Sequence, residues 1–172
     1  RKLKTTMAKI TFGGNPATTI GELPEIGTKA PDFKLTATDL SDKTLSDFSG
    51  SRLVLNIFPS IGTGVCAQSV RTFNEKASGL KKTKVLCISK DLPFALTTFC
   101  GAEGLDNVIT LSDYKTGNFG VSYGVTLKDS AFEALLSRSV VVLDSDGSVL
   151  YTEQVPETGD EPNYEAALNA LG

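Results

Sequence analysis

Three cysteines, Cys66, Cys87 and Cys100, and no histidine bound the nucleophile chemistry open to this 172-residue chain. The lack of histidine removes Cys-His and Ser-His catalysis. It also removes the commonest zinc ligand, and no CxxC pair is present, so a structural metal site is not expected. What remains is a thiol activated by its surroundings. The run Pro59-Ser-Ile-Gly-Thr-Gly-Val-Cys66 offers such surroundings, because it follows an apolar strand pattern and opens a helix pattern. A cysteine in the first helical turn meets unpaired N–H groups and the positive end of the helix dipole, which favour thiolate over thiol.

Helical spacing then gives the sulfur a direction. Cys66, Val70, Phe73, Ala77 and Leu80 fall on one face. Cys66 should therefore sit in a pocket. Thr63, one turn earlier, can aim its hydroxyl at the sulfur or at a substrate oxygen, and Gly62 and Gly64 allow close backbone approach. On position alone, Cys66 fits a buried core thiol as well as a nucleophile. Cys87 lies inside the apolar run Lys84–Ser89 and reads as an inert core thiol. Cys100 ends a short helix beginning at Pro93 and faces Gly101 and Gly104, where local unfolding is easy. Its position leaves both roles open.

The elements that must hold these residues are legible in outline. Leu53–Phe58, Lys84–Ser89 and Val108–Leu111 are near-continuous apolar runs, as in strands buried on both faces. Helical patterns separate them. Ser139–Leu143 and Ser148–Tyr151 flank Asp144-Ser-Asp-Gly147, a hairpin signal. Asn163–Leu171 reads as a last amphipathic helix. Near the start, Lys9–Phe12 and Ala17–Ile20 flank a Gly13–Pro16 turn, and Lys34–Asp39 and Lys43–Leu45 suggest a second hairpin around Asp42. The order implies an α/β three-layer domain over residues 7–172. Arg1–Thr6 precede the only methionine, Met7, and read as an added remnant.

Composition excludes several partners. A net charge of −3 argues against a nucleic-acid or anionic-membrane surface. No apolar run approaches the ~20 residues that span a bilayer, and no apolar leader follows Arg1, Lys2 and Lys4. The expected setting is cytoplasmic, where cysteines are more often reactive or buried than disulfide-bonded.

The segment Phe58-Pro-Ser-Ile-Gly-Thr-Gly-Val-Cys-Ala-Gln-Ser-Val-Arg-Thr-Phe-Asn74 resembles the active-site segment of peroxiredoxins, in particular the bacterial thiol peroxidases, which are atypical two-cysteine enzymes. The likeness runs from about Met7 to Gly172 and includes Ala30-Pro-Asp-Phe33 and Ser137-Arg-Ser-Val-Val-Val-Leu-Asp144. It implies a thioredoxin-like fold with a central mixed sheet and an N-terminal hairpin. It also implies reduction of hydrogen peroxide and alkyl hydroperoxides without metal, haem or flavin.

By the same resemblance, Cys66 is the peroxidatic cysteine, Cys100 the resolving cysteine, Thr63 a hydrogen-bond partner of peroxide and thiolate, Pro59 a shield over the sulfenic acid, and Arg138 the thiolate's cation. The implied partners are thioredoxin, as reductant, and a second copy of the chain in a homodimer. Arg71 reads as a solvated or subunit-facing cation. Two helices carry the two sulfurs, so a disulfide, with its limit of ~7 Å between Cα atoms, implies partial unwinding of both helix ends. The subfamily usually carries aspartate before the catalytic threonine, where this chain has Gly62. Two other classes share these residues: a redox sensor that signals through a partner, and a thioredoxin-like binding module with inert thiols.

Overall fold

The computed structural model describes residues 7–172; Arg1–Thr6, read above as an added remnant, lie outside the described residues. A small ribbon comes first. Strands β1 (Lys9–Phe12) and β2 (Asn15–Thr18) pair antiparallel around Gly13-Gly14. Both glycines hold positive φ, at 57° and 80°, as the two-residue turn that matches strand twist demands. The turn is thus tighter than the expected Gly13–Pro16, and Pro16 pairs with Thr11 inside β2.

The remaining strands form one mixed seven-stranded sheet, ordered β4-β3-β7-β6-β5-β8-β9. They are β3 (Lys34–Ala37), β4 (Asp42–Thr44), β5 (Arg52–Ile57), β6 (Thr83–Ser89), β7 (Val108–Ser112), β8 (Ser139–Leu143) and β9 (Val149–Gln154). Strands β5, β6 and β7 run parallel at the centre, with antiparallel neighbours on both sides. The hairpin expected around Asp42 turns earlier, and Asp42 itself pairs with Thr36. Asp39 accepts hydrogen bonds from both the amide and the hydroxyl of Ser41, and Leu40 takes φ 68°, so the turn closes before Asp42. A 3-10 turn at Leu45–Phe48 follows, with the Asp47 carboxylate accepting from the Thr44 amide.

Period-two alternation splits the core between the two sheet faces. Leu53, Leu55 and Ile57 of β5 pack with Phe33, Phe48, Phe119 and Tyr123. Val54 faces the other way, into a cluster with Cys66, Phe73, Leu96 and Ala167. That second face carries α1 (Gly64–Ala77), α2 (Pro93–Glu103) and α4 (Tyr164–Asn169). The first carries a short helix, α3 (Asn118–Ser122), which the sequence pattern did not announce. α3 starts at Gly117, with the buried Asp113 carboxylate accepting from the Phe119 and Gly120 amides. Helix α1 stops before Leu80, and Gly101 lies inside α2, whose stop is Gly104 at φ 65°. Among the described residues no helix is long and apolar enough to cross a membrane.

Two glycines near α3 are fixed by close approach. A Cβ on Gly120 would collide with the Thr126 hydroxyl, and one on Gly124 (φ 68°) with the Glu22 backbone.

Candidate active site

Strand β5 delivers the chain to the site and Pro59 ends it, buried at the strand's exit. Residues Ser60–Thr63 form a loop, and Thr63 then caps α1 with extended backbone angles. The Thr63 hydroxyl donates to the Ser60 carbonyl at 3.2 Å, not to the Cys66 sulfur. This has a consequence for the helix start. The first-turn N–H groups of α1 have no intrahelical acceptor, and the Thr63 side chain does not cap them. Gly64 and Val65, which carry two of them, line a pocket of about 260 Å³.

The apolar wall of that pocket is Phe12 and Phe132, whose ring centres are 4.3 Å apart. Thr63 and Arg138 line its other side, and Pro59 does not reach it. Cys66 itself does not line the pocket, contrary to the expectation from helical spacing, because its side chain points into the core beneath α1. The residue is fully buried and packs with Phe58, Val70 and Phe73.

Arg138 joins the pocket to the sulfur. It immediately precedes β8 and is 2% exposed. Its Nη2 donates to Cys66 Sγ at 3.3 Å and its Nε to the Thr158 carbonyl at 3.0 Å. Its Nη1 is buried without a hydrogen-bond partner among the described residues. Among the described residues no carboxylate pairs with Arg138. A buried guanidinium without a counter-ion is costly. Ionised, the Cys66 sulfur would supply that counter-ion. The arrangement can hold a sulfur anion beside unspent donors, which suits attack on a polar electrophile.

Three supports went unread in the sequence. Asp91 accepts from the Ser60 hydroxyl at 2.8 Å, the Ile61 amide at 2.7 Å and the Ser89 hydroxyl at 2.6 Å. It thereby pins the Ser60–Thr63 loop to the exit of β6. Gly62 has no such burden. A Cβ there would meet only the Ser60 hydroxyl, at 3.4 Å, and its φ lies outside the left-handed region. The loop's hydrogen bonding therefore does not depend on a side chain at 62, where the thiol peroxidases usually have aspartate.

Glu157 and Thr158 are the second support. The Glu157 carboxylate accepts from the Thr11 hydroxyl and, at 2.7 Å, from the Gly13 amide. These bonds, that from Thr11 foremost, hold its carboxyl below the ordinary range. Thr158 donates its amide and hydroxyl to the Thr11 carbonyl, both at 2.8 Å, while its own carbonyl accepts from Arg138. One loop thus fixes both the hairpin wall and the guanidinium. The third support is Asn56, which donates to the Ser69 hydroxyl at 3.1 Å; Ser69 in turn donates to the Cys66 carbonyl at 2.7 Å. Apart from the short-range bonds of Ser69 to Cys66 and Ser89 to Asp91, these links join residues distant in the chain, so they have no local sequence signal.

All three cysteines are free thiols. Cys87 is fully buried in β6, and burial pushes its thiol up to about 12, with the Asn56 amide opposing weakly. Cys100 is half-buried in the last turn of α2, beside a separate groove lined by Thr97, Leu105 and Thr110. Burial raises its thiol, and Asp106 and Glu103 add to the effect. The structure therefore brings Thr63 and Arg138 to one pocket, which Arg138 links to the buried Cys66 sulfur, and leaves Cys100 and Pro59 outside it. Arg71 forms an exposed ion pair with Glu103 and makes no bond to Cys66. Among the described residues no cluster of three or more histidine, cysteine or acidic side chains is placed to hold a metal.

Comparison with known proteins identifies the family and the fold. A sequence model of the Redoxin family matches residues 25–168. The thiol peroxidase of Mycobacterium tuberculosis (strain H37Rv) is 54% identical over 166 residues, covering 96% of this chain and 99% of that protein. The thiol peroxidase of Corynebacterium glutamicum is 53% identical over 165 residues, with the same coverage. Among solved structures, a peroxiredoxin-like protein from Aquifex aeolicus superposes with a TM-score of 0.90 at 33% identity, covering 96% of each chain. The thiol peroxidase of Chromobacterium violaceum shares the fold at 22% identity, with a TM-score of 0.87 and 95% of each chain covered. The mixed sheet, the N-terminal hairpin and these relatives together place the chain in the Redoxin family, as a peroxiredoxin of the thiol peroxidase group.

Proposed function

We propose that the protein reduces hydroperoxides, with Cys66 as the attacking thiolate and Cys100 as the thiol that resolves its product. The observation that carries this reading is the Arg138 guanidinium, buried against Cys66 Sγ at 3.3 Å with no carboxylate partner among the described residues. In the first step the thiolate attacks the terminal oxygen of the hydroperoxide. The O–O bond breaks, water or an alcohol leaves after taking a proton, and Cys66 becomes a sulfenic acid. Charge moves from sulfur to the departing oxygen. Arg138 Nη1 and the first-turn N–H groups of α1 are donors positioned to follow it. Thr63 has its hydroxyl proton on Ser60, so its oxygen serves as an acceptor for a peroxide O–H.

In the second step the Cys100 sulfur displaces water from the sulfenic acid to form an intramolecular disulfide. Thioredoxin is the proposed reductant of that bond. Hydrogen peroxide and alkyl hydroperoxides are the proposed substrates; the Phe12–Phe132 wall gives an alkyl tail an apolar surface. We assign Pro59 the role of limiting access behind the loop, which its burial supports. Residues 7–172 would act as one domain, and the proposed working form is a cytoplasmic homodimer.

Stopped-flow peroxide consumption tests this reading. Cys66→Ser should abolish consumption. Cys100→Ser should spare the first turnover and stop thioredoxin-linked cycling. Turnover retained in Cys66→Ser, or cycling lost in Cys87→Ser instead, would overturn the assignment.

A further inference from the structure

The two cysteine-bearing helices are tied to each other at a place where the chemistry requires them to part. Arg71 of α1 meets Glu103 of α2 in a bidentate pair, with Nε to Oε2 at 2.6 Å and Nη2 to Oε1 at 2.7 Å. The same guanidinium stacks 5.4 Å from the centre of the Phe99 ring. Asn74, nearly one turn further along α1, accepts from the Asn107 amide at 2.7 Å. Cys100 lies between Phe99 and Glu103, so these contacts bracket it.

The turn they bracket is weak by itself. Gly101 lies within it and Gly104 ends it in the left-handed region. The Cys100 carbonyl is the acceptor that closes it, taking the Gly104 and Leu105 amides. Freeing Cys100 breaks those bonds and withdraws Glu103 from Arg71. While the pair is closed, the thiol stays half-buried and is held up by burial and by Asp106 and Glu103.

We propose that the Arg71–Glu103 pair is a clamp between the two helices that sets how oxidised Cys66 divides between disulfide formation and further oxidation. This rests on the roles proposed for Cys66 and Cys100. In the productive branch the sulfenic S–O bond breaks, an S–S bond forms and water leaves, with the Cys66 sulfur reduced and the Cys100 sulfur oxidised. In the competing branch a second hydroperoxide delivers its terminal oxygen to the sulfenic acid, giving a sulfinic acid and an alcohol or water. Only the first branch needs α2 to open. Loosening the clamp speeds that branch and leaves the other alone. Arg71 and Glu103 are positioning residues here, since neither touches a reacting sulfur in the structure.

The test uses the full chain with hydrogen peroxide as oxidant and dithiothreitol as reductant, and mass spectrometry of Cys66 sulfinate after turnover. Glu103→Gln and Arg71→Met should each raise the peroxide concentration for half-inactivation by roughly two- to fivefold, the range of a partly exposed ion pair. The first-turnover rate should stay unchanged. Exchanging the charges, Arg71→Glu with Glu103→Arg, should move sensitivity back toward wild type. Single variants as sensitive as wild type, beside a hypersensitive Cys100→Ser, would overturn the clamp alone. A Cys100→Ser protein no more sensitive than wild type would overturn the underlying resolving role, and the clamp with it.

Discussion

Replacing Arg138 by methionine keeps an unbranched stem but removes the cation from a site where, among the described residues, no carboxylate pairs with it and its guanidinium donates to the Cys66 sulfur. Two bonds go, Nη2 to Cys66 Sγ at 3.3 Å and Nε to the Thr158 carbonyl at 3.0 Å. A hydrogen bond to a charged group contributes about 1.5–3 kcal/mol. If the first bond is made to a thiolate, its loss should slow peroxide attack roughly 10- to 100-fold, at about 1.4 kcal/mol per factor of ten. Losing the second frees Thr158 and should loosen the hairpin wall of the pocket. Arg138→Lys keeps a cation but cannot fork to both acceptors, so its rate should fall between wild type and Arg138→Met. Single-turnover stopped flow at neutral pH in a Cys100→Ser background isolates the first step. Thermal melts in parallel separate rate loss from unfolding. A folded Arg138→Met protein that consumes peroxide within about twofold of wild type would refute the reasoning, because a thiolate at Cys66 would then need no guanidinium.

Asp91→Ala should release the Ser60–Thr63 loop by removing an acceptor that serves three donors; the expected cost is about 2 kcal/mol in a denaturant melt, with a slower first turnover. Phe73→Ala should lose about 3–5 kcal/mol by the same melt, since the ring is fully buried and packs edge-to-face on Tyr164 at 5.0 Å. Gly62→Asp should fold with an unchanged melting temperature, because a Cβ there meets only one flexible hydroxyl. The Cys87 thiol should shape alkaline stability. Its folded value of about 12 exceeds the ordinary 9.0, so the folded state keeps a proton that the unfolded chain has lost. That contribution is fully present below about 9 and is lost as pH rises toward about 12. Melts of wild type and Cys87→Ala across this window should converge if wild type starts higher, or diverge if it starts lower.

How much of this could be read from the chain depends on the range of each interaction. The buried strands and α1 were legible because their signals are local: apolar runs bounded by Pro59 and Asp91, and a face repeated from Cys66 to Phe73. Cys66 was placed by that same local pattern. Arg138 was read mostly through the resemblance to a family motif, since its place beside the apolar run Ser139–Leu143 implies burial and a need for an anion but not whether that anion is a thiolate or a carboxylate. Asp91, Glu157 and Asn56 escaped because each acts across elements, through bonds such as Asp91 to Ile61 and Glu157 to Gly13. The hairpin at Asp42 was displaced by a side chain, Asp39 capping Ser41, that outranked residue composition. Helix α3 is too short for a periodic signal and exists through Asp113, which caps it from β7's exit. Thr63 illustrates a different limit. It lines the pocket with Arg138, but its hydroxyl proton goes to Ser60.

The central claim is a redox cycle between Cys66 and Cys100, with Cys87 outside it. Non-reducing peptide mapping by mass spectrometry, after one equivalent of hydrogen peroxide is added to the reduced protein, tests it most directly. The account predicts a Cys66–Cys100 disulfide within one chain and an unmodified Cys87. A disulfide that includes Cys87, or a Cys66 left as a free thiol after the peroxide is consumed, would contradict it.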